Sequence, residues 1–133
     1  YTCMIDNIWS IDTGFFKLDG GAMFGIVPKT MWNKWNPADS NNRCSWAMRS
    51  LLIQCGEKLI LIDTGCGNKQ DFSYYDLHGN ASLKNSLLTL GFRDQDITDV
   101  ILTHLHFDHV GGSTFKDEYG VLQPSFPNAQ YWI

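Results

Sequence analysis

The sequence predicts an α/β (α+β) domain, a mixed β-sheet flanked by helices. Three observations carry that expectation. Two apolar runs, residues 49–55 and 58–63, are split by Gly56-Glu57 and read as a β-hairpin. A capped amphipathic segment at 82–90 is followed by a strand-like run at 99–103, which gives strand–helix–strand order. Hydrophobic residues make up 44% of the chain and charged residues 18%, enough apolar material for a packed core. With 133 residues the expectation is a single domain over 1–133.

Residues 4–16 alternate loosely through Ile5, Ile8, Trp9, Ile11, Phe15 and Phe16, and predict one or two strands. Asp19-Gly20-Gly21 reads as a turn. Residues 22–46 read as irregular, with Pro28, Pro37, Trp32, Trp35, Trp46 and the polar run 39–42. Long loops of this kind tend to carry function. After the hairpin, Thr64-Gly65-Cys66-Gly67-Asn68 is a glycine-rich loop, and 69–81 is polar and irregular.

Ser82 is placed to cap a helix running to Leu90, with Gly91 as its C′ stop. Leu83, Leu87, Leu88 and Leu90 supply its expected apolar face. Asp96 starts a short turn, and Asp99–Thr103 has the continuous apolar centre of a buried strand. The chain stops at Gln130-Tyr131-Trp132-Ile133, which reads as the middle of a strand, so truncation at the C-terminal end is expected.

Composition excludes several function classes. Ten Lys and Arg against 14 Asp and Glu give a net charge of −4, with no basic stripe for a nucleic acid. No apolar run approaches the roughly 18 residues of a membrane span. The four cysteines, Cys3, Cys44, Cys55 and Cys66, form no C-x-x-C motif. They are expected to be reduced thiols, several of them buried, with a disulfide such as Cys3–Cys44 as the alternative. That expectation leans towards a reducing, cytoplasmic compartment.

The chemistry concentrates after the 99–103 strand, in His104-Leu105-His106-Phe107-Asp108-His109-Val110-Gly111-Gly112. Three of the four histidines fall within six residues, with an aspartate among them. Imidazole nitrogen and carboxylate oxygen suit Zn, Fe or Mn ions. On an extended strand end His104 and His106 point to one side, so they can share one ion. The chain must then turn, and Asp108 and His109 can face a second point, an arrangement suited to ions ~3.5–4 Å apart. Gly111 and Gly112 are expected to let the backbone turn into a following helix.

His104, His106, Asp108 and His109 spell HxHxDH, which resembles the metal-binding motif of the metallo-β-lactamase superfamily. Leu61-Ile62-Asp63-Thr64-Gly65 resembles the superfamily's first motif. Leu18–Gly21, Phe24–Lys29, Trp32 and Arg49–Leu52 are similar to one branch, the N-acyl-homoserine lactonase and methyl parathion hydrolase-like enzymes. The resemblance implies the N-terminal half of an αβ/βα sandwich made of two similar halves. It implies two divalent ions, zinc first, with Mn, Fe or Co as alternatives. His104 and His106 would bind one, Asp108 and His109 the other, and Asp63 would orient a histidine ligand. The family needs a later histidine, a bridging aspartate and another histidine. No histidine follows His109 here, and Asp117 and Glu118 read as exposed helix or loop charges.

The implied activity is metal-dependent hydrolysis, by a hydroxide activated between the two ions, of a lactone or related ester. Asp108 would assist protonation of the leaving group. The alternatives are an organophosphate or thioester hydrolase, an iron-dependent oxidoreductase of the same superfamily, or a non-catalytic half-domain. Phe24, Met31, Trp32 and Phe107 are the candidate substrate-pocket residues. Met23, Trp35 and Trp46 belong either to that apolar wall or to the edge of the core. Tyr74, Tyr75 and His78 lie in another polar loop within possible reach of the site. The expected partner is a small-molecule substrate. The aromatic 22–46 segment also makes a homodimer an expectation.

Overall fold

The computed structural model describes residues 4–79 and 82–133. In chain order it contains β1 (Asn7–Asp19), α1 (Gly20–Phe24), α2 (Lys29–Trp32), β2 (Arg43–Cys55), β3 (Lys58–Ile62), α3 (Leu83–Thr89), β4 (Asp99–Ile101), α4 (Phe107–Val110), β5 (Thr114–Lys116), β6 (Leu122–Pro124) and β7 (Gln130–Trp132). Single 3₁₀ turns occur at Ser73–Tyr75, Asp94–Asp96 and Gly111–Ser113.

The main sheet has the order β1-β2-β3-β4-β7. β1, β2 and β3 pair antiparallel, while β3–β4 and β4–β7 pair parallel. This is the mixed sheet that the hairpin and the strand–helix–strand pattern predict. The hairpin register pairs Cys55 with Lys58 across Gly56-Glu57. Gly56 sits at φ +60°, a conformation that glycine adopts without steric cost. β5 and β6 form a separate two-stranded ribbon.

One sheet face is buried. Ile11, Leu52, Leu59, Leu61 and Val100 pack there with Leu87 of α3, Ile97 and Phe126. Ser82 caps α3 by accepting from the Asn85 N–H at 3.2 Å, and Gly91 follows at φ +85°. Ser86 Oγ donates to the Asp12 carbonyl at 2.8 Å and ties α3 to β1. The helix face is narrower than predicted: Leu87 is buried and Leu83 packs partly, but Leu88 and Leu90 are exposed. The helix ends at Thr89, so Leu90 lies outside its register.

Several sequence expectations are corrected. The one or two strands expected over 4–16 are one strand shifted to Asn7–Asp19, with a β-bulge between Asp12 and Phe15. Asp19 is a helix cap, accepting from the Ala22 N–H at 2.8 Å, rather than part of a free turn. The 22–46 segment is not irregular throughout: it holds the end of α1, all of α2 and the start of β2. The 99–103 run is strand only to Ile101. Cys44 and Cys66 are buried free thiols, but Cys55 is disulfide-bonded, against the expectation of four reduced thiols. The cysteine pattern thus no longer argues for a reducing compartment. Cys3 lies outside the described residues. Among the described residues no helix is long and apolar enough to cross a membrane.

Candidate metal centre

Two segments distant in sequence meet at the end of β3 and β4. Asp63 follows β3, and its N–H donates to the Ile101 carbonyl at 2.9 Å. The Thr64 N–H and Oγ1 both donate to the His109 carbonyl, at 2.8 and 3.0 Å. The Gly112 N–H donates to the Gly65 carbonyl at 2.9 Å. The 63–67 turn and the 109–112 segment are therefore stitched together through main-chain groups.

The glycines make this approach possible. A Cβ on Gly111 would stand 2.2 Å from the Cys66 carbonyl oxygen, and one on Gly112 would stand 2.1 Å from that of Thr64. Their role is close backbone packing rather than the expected turn into a helix; a 3₁₀ turn follows instead. Lys69 closes the same junction from behind, donating to the carbonyls of Gly111 and Thr114. Burial lowers the pKa of its ammonium.

Asp63 is buried and sits at φ +60°, a conformation that Asp tolerates better than most residues. Its carboxylate accepts from the Thr103 N–H at 2.9 Å, from Thr103 Oγ1 at 2.8 Å and from His109 Nδ1 at 2.8 Å. Burial pushes its pKa up, but the bonds from His109 and Thr103 outweigh it and hold the carboxyl below its ordinary value. A carboxylate only accepts, so the proton of this bond sits on His109 Nδ1, and Nε2 is the ring's remaining nitrogen. Asp63 thus bonds one histidine of the HxHxDH segment through its ring Nδ1.

His109 Nε2 faces Asp108 Oδ2 at 3.3 Å. A lone pair and a carboxylate oxygen at that separation attract only through a shared proton or a cation. The ring of His104 stands 4.0 Å from that of His109 and 4.7 Å from that of His106, centre to centre. His104 and His106 are exposed, and His104 Nδ1 lies 3.1 Å from Thr103 Oγ1. The donor set is thus two-nitrogen and nitrogen-plus-carboxylate chemistry, which fits divalent ions of the zinc type. Among the described residues, no group of three or more His, Cys, Asp or Glu side chains is arranged to hold an ion.

Three of the candidate pocket residues lie in the α1–α2 region, and Phe107 opens α4. Phe24 stacks on Trp32, with centroids 5.0 Å apart, and tilts against Trp46 at 5.2 Å. Trp32 is buried and Met31 is half exposed. Phe107 packs against Tyr75, Phe72 and Phe16, at 4.5, 5.5 and 5.9 Å. None of these four lines the hollow of about 170 Å³ beside His109, which is bounded by Thr13, Ala47, Met48, Arg49, Gly65 and Asp108. A larger cavity of about 470 Å³ shares Thr13, Met48 and Gly65 with it.

His78 bonds Ser45 Oγ at 2.8 Å and stacks on Phe15, which docks its loop onto β1 and β2. Asp117 organises the loop between β5 and β6, accepting from the Val121 N–H and from Gln123 Nε2. Sequence reasoning missed Thr103, which holds Asp63 through both its N–H and its hydroxyl. Its one signal is its place directly before His104.

Comparison with known proteins agrees with this geometry. Residues 49–119 match the Metallo-beta-lactamase superfamily. N-acyl homoserine lactonase AiiB of Agrobacterium fabrum is 28% identical over 120 residues, covering 81% of this chain and 43% of that protein. A probable metal-dependent hydrolase from Staphylococcus aureus is 33% identical with a TM-score of 0.83, covering 94% of this chain and 45% of the other. AidC, a dizinc quorum-quenching lactonase in complex with a product, is 26% identical with a TM-score of 0.66, covering 97% of this chain and 43% of the other. The chain thus spans less than half the length of these relatives. A sequence match over more than half of the chain, joined to a mixed sheet that carries Asp63 against His109, places the chain in the metallo-β-lactamase superfamily.

Proposed function

We propose that this chain supplies the metal-binding half of a hydrolase that opens a lactone or cleaves a related ester. The observation that carries the reading is the Asp63–His109–Asp108 series, at 2.8 and 3.3 Å. His104 and His106 would hold one divalent ion, and Asp108 and His109 a second. Such ions supply Lewis acidity and lower the pKa of water towards neutrality. Asp63 keeps the proton of His109 on Nδ1 and leaves Nε2 free as a donor atom. Asp108 would hold or pass a proton at the leaving oxygen. The lactone preference rests on the likeness to AiiB and AidC, each under 30% identical.

The competing reading is a half-domain without activity. Elemental analysis of the full-length protein separates the two. About two ions per chain, lost in His106→Ala and Asp108→Ala, together with turnover of a lactone panel, are expected. Fewer than about half an ion per chain, unchanged by either substitution, would overturn the hydrolase reading. Turnover of phosphotriesters or thioesters but not lactones would keep the chemistry and replace the substrate.

A further inference from the structure

The hollow beside His109 has a cationic rim that the proposed chemistry does not use. Arg49 lies on its wall together with Asp108 and His109. β2 carries Arg49 opposite Asp12 of β1, immediately before the bulge that re-aims β1. The guanidinium bonds Asp12 through Nε at 3.1 Å. Among the described residues that is its one bonded partner, so the edge formed by its two terminal nitrogens is unengaged.

Both side chains of the pair are more than half exposed, 59% for Arg49 and 64% for Asp12. An exposed pair of this kind contributes little to folding. Of the residues lining the hollow, Arg49 is the one cation, and it stands in a chain of net charge −4. A planar guanidinium presents paired N–H donors spaced for the two oxygens of a carboxylate, a match that a lysine lacks.

We propose that Arg49 determines substrate preference at this site, taking a carboxylate carried by the ester or lactone substrate away from its scissile bond. The inference rests on the hydrolase reading above. Asp12 would act as its positioning partner, holding Nε so that the terminal nitrogens face the hollow. The substrate class is then an acyl ester or lactone with a free carboxylate, rather than a wholly neutral one.

The test compares two esters of equal chain length on the full-length protein supplied with zinc: 4-nitrophenyl butyrate and 4-nitrophenyl hemisuccinate. The readout is the ratio of their kcat/KM values. Arg49→Met is expected to lower the hemisuccinate-to-butyrate ratio about 10- to 100-fold, the range for a lost charge-assisted bond, mainly through KM for hemisuccinate. Arg49→Lys is expected to recover part of that loss. The same ratio in wild type and Arg49→Met, with both folded by circular dichroism, overturns the proposal.

If the wild type turns over neither ester, the hydrolase reading is left to the ion count and lactone panel above, and succinate binding decides the role of Arg49 separately. Succinate is then titrated while the His109 ring signals are followed by NMR. A saturable shift in wild type that is absent in Arg49→Met supports an anion site at Arg49. No shift in wild type, or the same shift in both, overturns it.

Discussion

Replacing Asp63 removes the group that joins the end of β3 to the histidine segment. Asp63→Ala strips acceptors from the Thr103 N–H, the Thr103 hydroxyl and His109 Nδ1. The Thr103 hydroxyl can turn to His104 Nδ1, 3.1 Å away, and water reaches the partly exposed His109. The Thr103 N–H loses its protein acceptor and exchanges a charged carboxylate for water at this exposed residue. Losing these bonds to a charged acceptor costs about 2–3 kcal/mol. Alanine at φ +60° adds about 1 kcal/mol of backbone strain. A total of about 3–4 kcal/mol lowers Tm by roughly 10–15 °C in a domain of this size. Asp63→Asn keeps the shape and the bond to Thr103 but presents an amide N–H to His109, so the ring must move its proton to Nε2. Its expected cost is smaller, about 1–2 kcal/mol, yet it places a proton on the nitrogen facing Asp108. Thermal melts by circular dichroism measure the first effect, and ¹⁵N NMR of the His109 ring measures the second. An alanine variant melting within about 2 °C of wild type, or an asparagine variant that keeps the Nδ1–H tautomer, would refute this account.

Four other outcomes follow from the same structure. Gly111→Ala forces a Cβ to 2.2 Å from the Cys66 carbonyl oxygen, which cannot swing aside, and should cost at least about 3 kcal/mol by denaturant titration. Leu87→Ala should cost about 2–5 kcal/mol, while Leu88→Ala on the exposed side of the same helix stays within about 0.5 kcal/mol. The pKa of Asp99 is raised by burial but lowered more by bonds from Trp132, Thr98 and Lys58, so its folded value lies below the ordinary one. Its stabilisation is therefore present above the unfolded value of about 3.9 and is lost as pH falls through the lower folded value. The Asp99→Asn stability deficit at pH 7 should accordingly shrink below about pH 4, and a deficit independent of pH would contradict it. His106→Ala should leave Tm within about 2 °C of wild type, because the ring is exposed, while ion content falls.

The sheet and the donor residues were legible in the sequence to different depths. The hairpin was plain because Gly56 breaks two apolar runs at a fixed offset, and the start of α3 was plain because Ser82 precedes its first turn. β1 was blurred by its bulge. Ile11 and Phe16 are five residues apart, which strict alternation puts on opposite faces, yet both are buried because the extra residue restores the phase. The helices α1 and α2, of five and four residues, are too short to show a 3.6-residue period. At the site, the histidines and Asp108 stood out by type and spacing. The bond from Asp63 to His109 crosses 46 residues and was reachable only through the family resemblance. The hold of Thr103 on Asp63 and the backbone contact at Gly111 depend on tertiary approach, which no local pattern encodes.

That tertiary approach explains why the candidate metal centre can be ordered before any ion arrives. Its two strands of chain are joined by four main-chain acceptances, at Ile101, twice at His109 and at Gly65, with Asp63 fixing one histidine ring. None of these bonds uses His104, His106 or Asp108. The groups that hold the loop in place and the groups that would hold ions are therefore largely different side chains. In small zinc-dependent folds the ligands serve both purposes, and removing the metal unfolds the chain. Here the sheet, the glycine contact and Asp63 carry the structural role. The exposed histidines are left free to be tuned by what binds them. Asp63 is the exception that touches both sets, which is why its substitution should lower stability and change the site together, while His106→Ala changes the site alone.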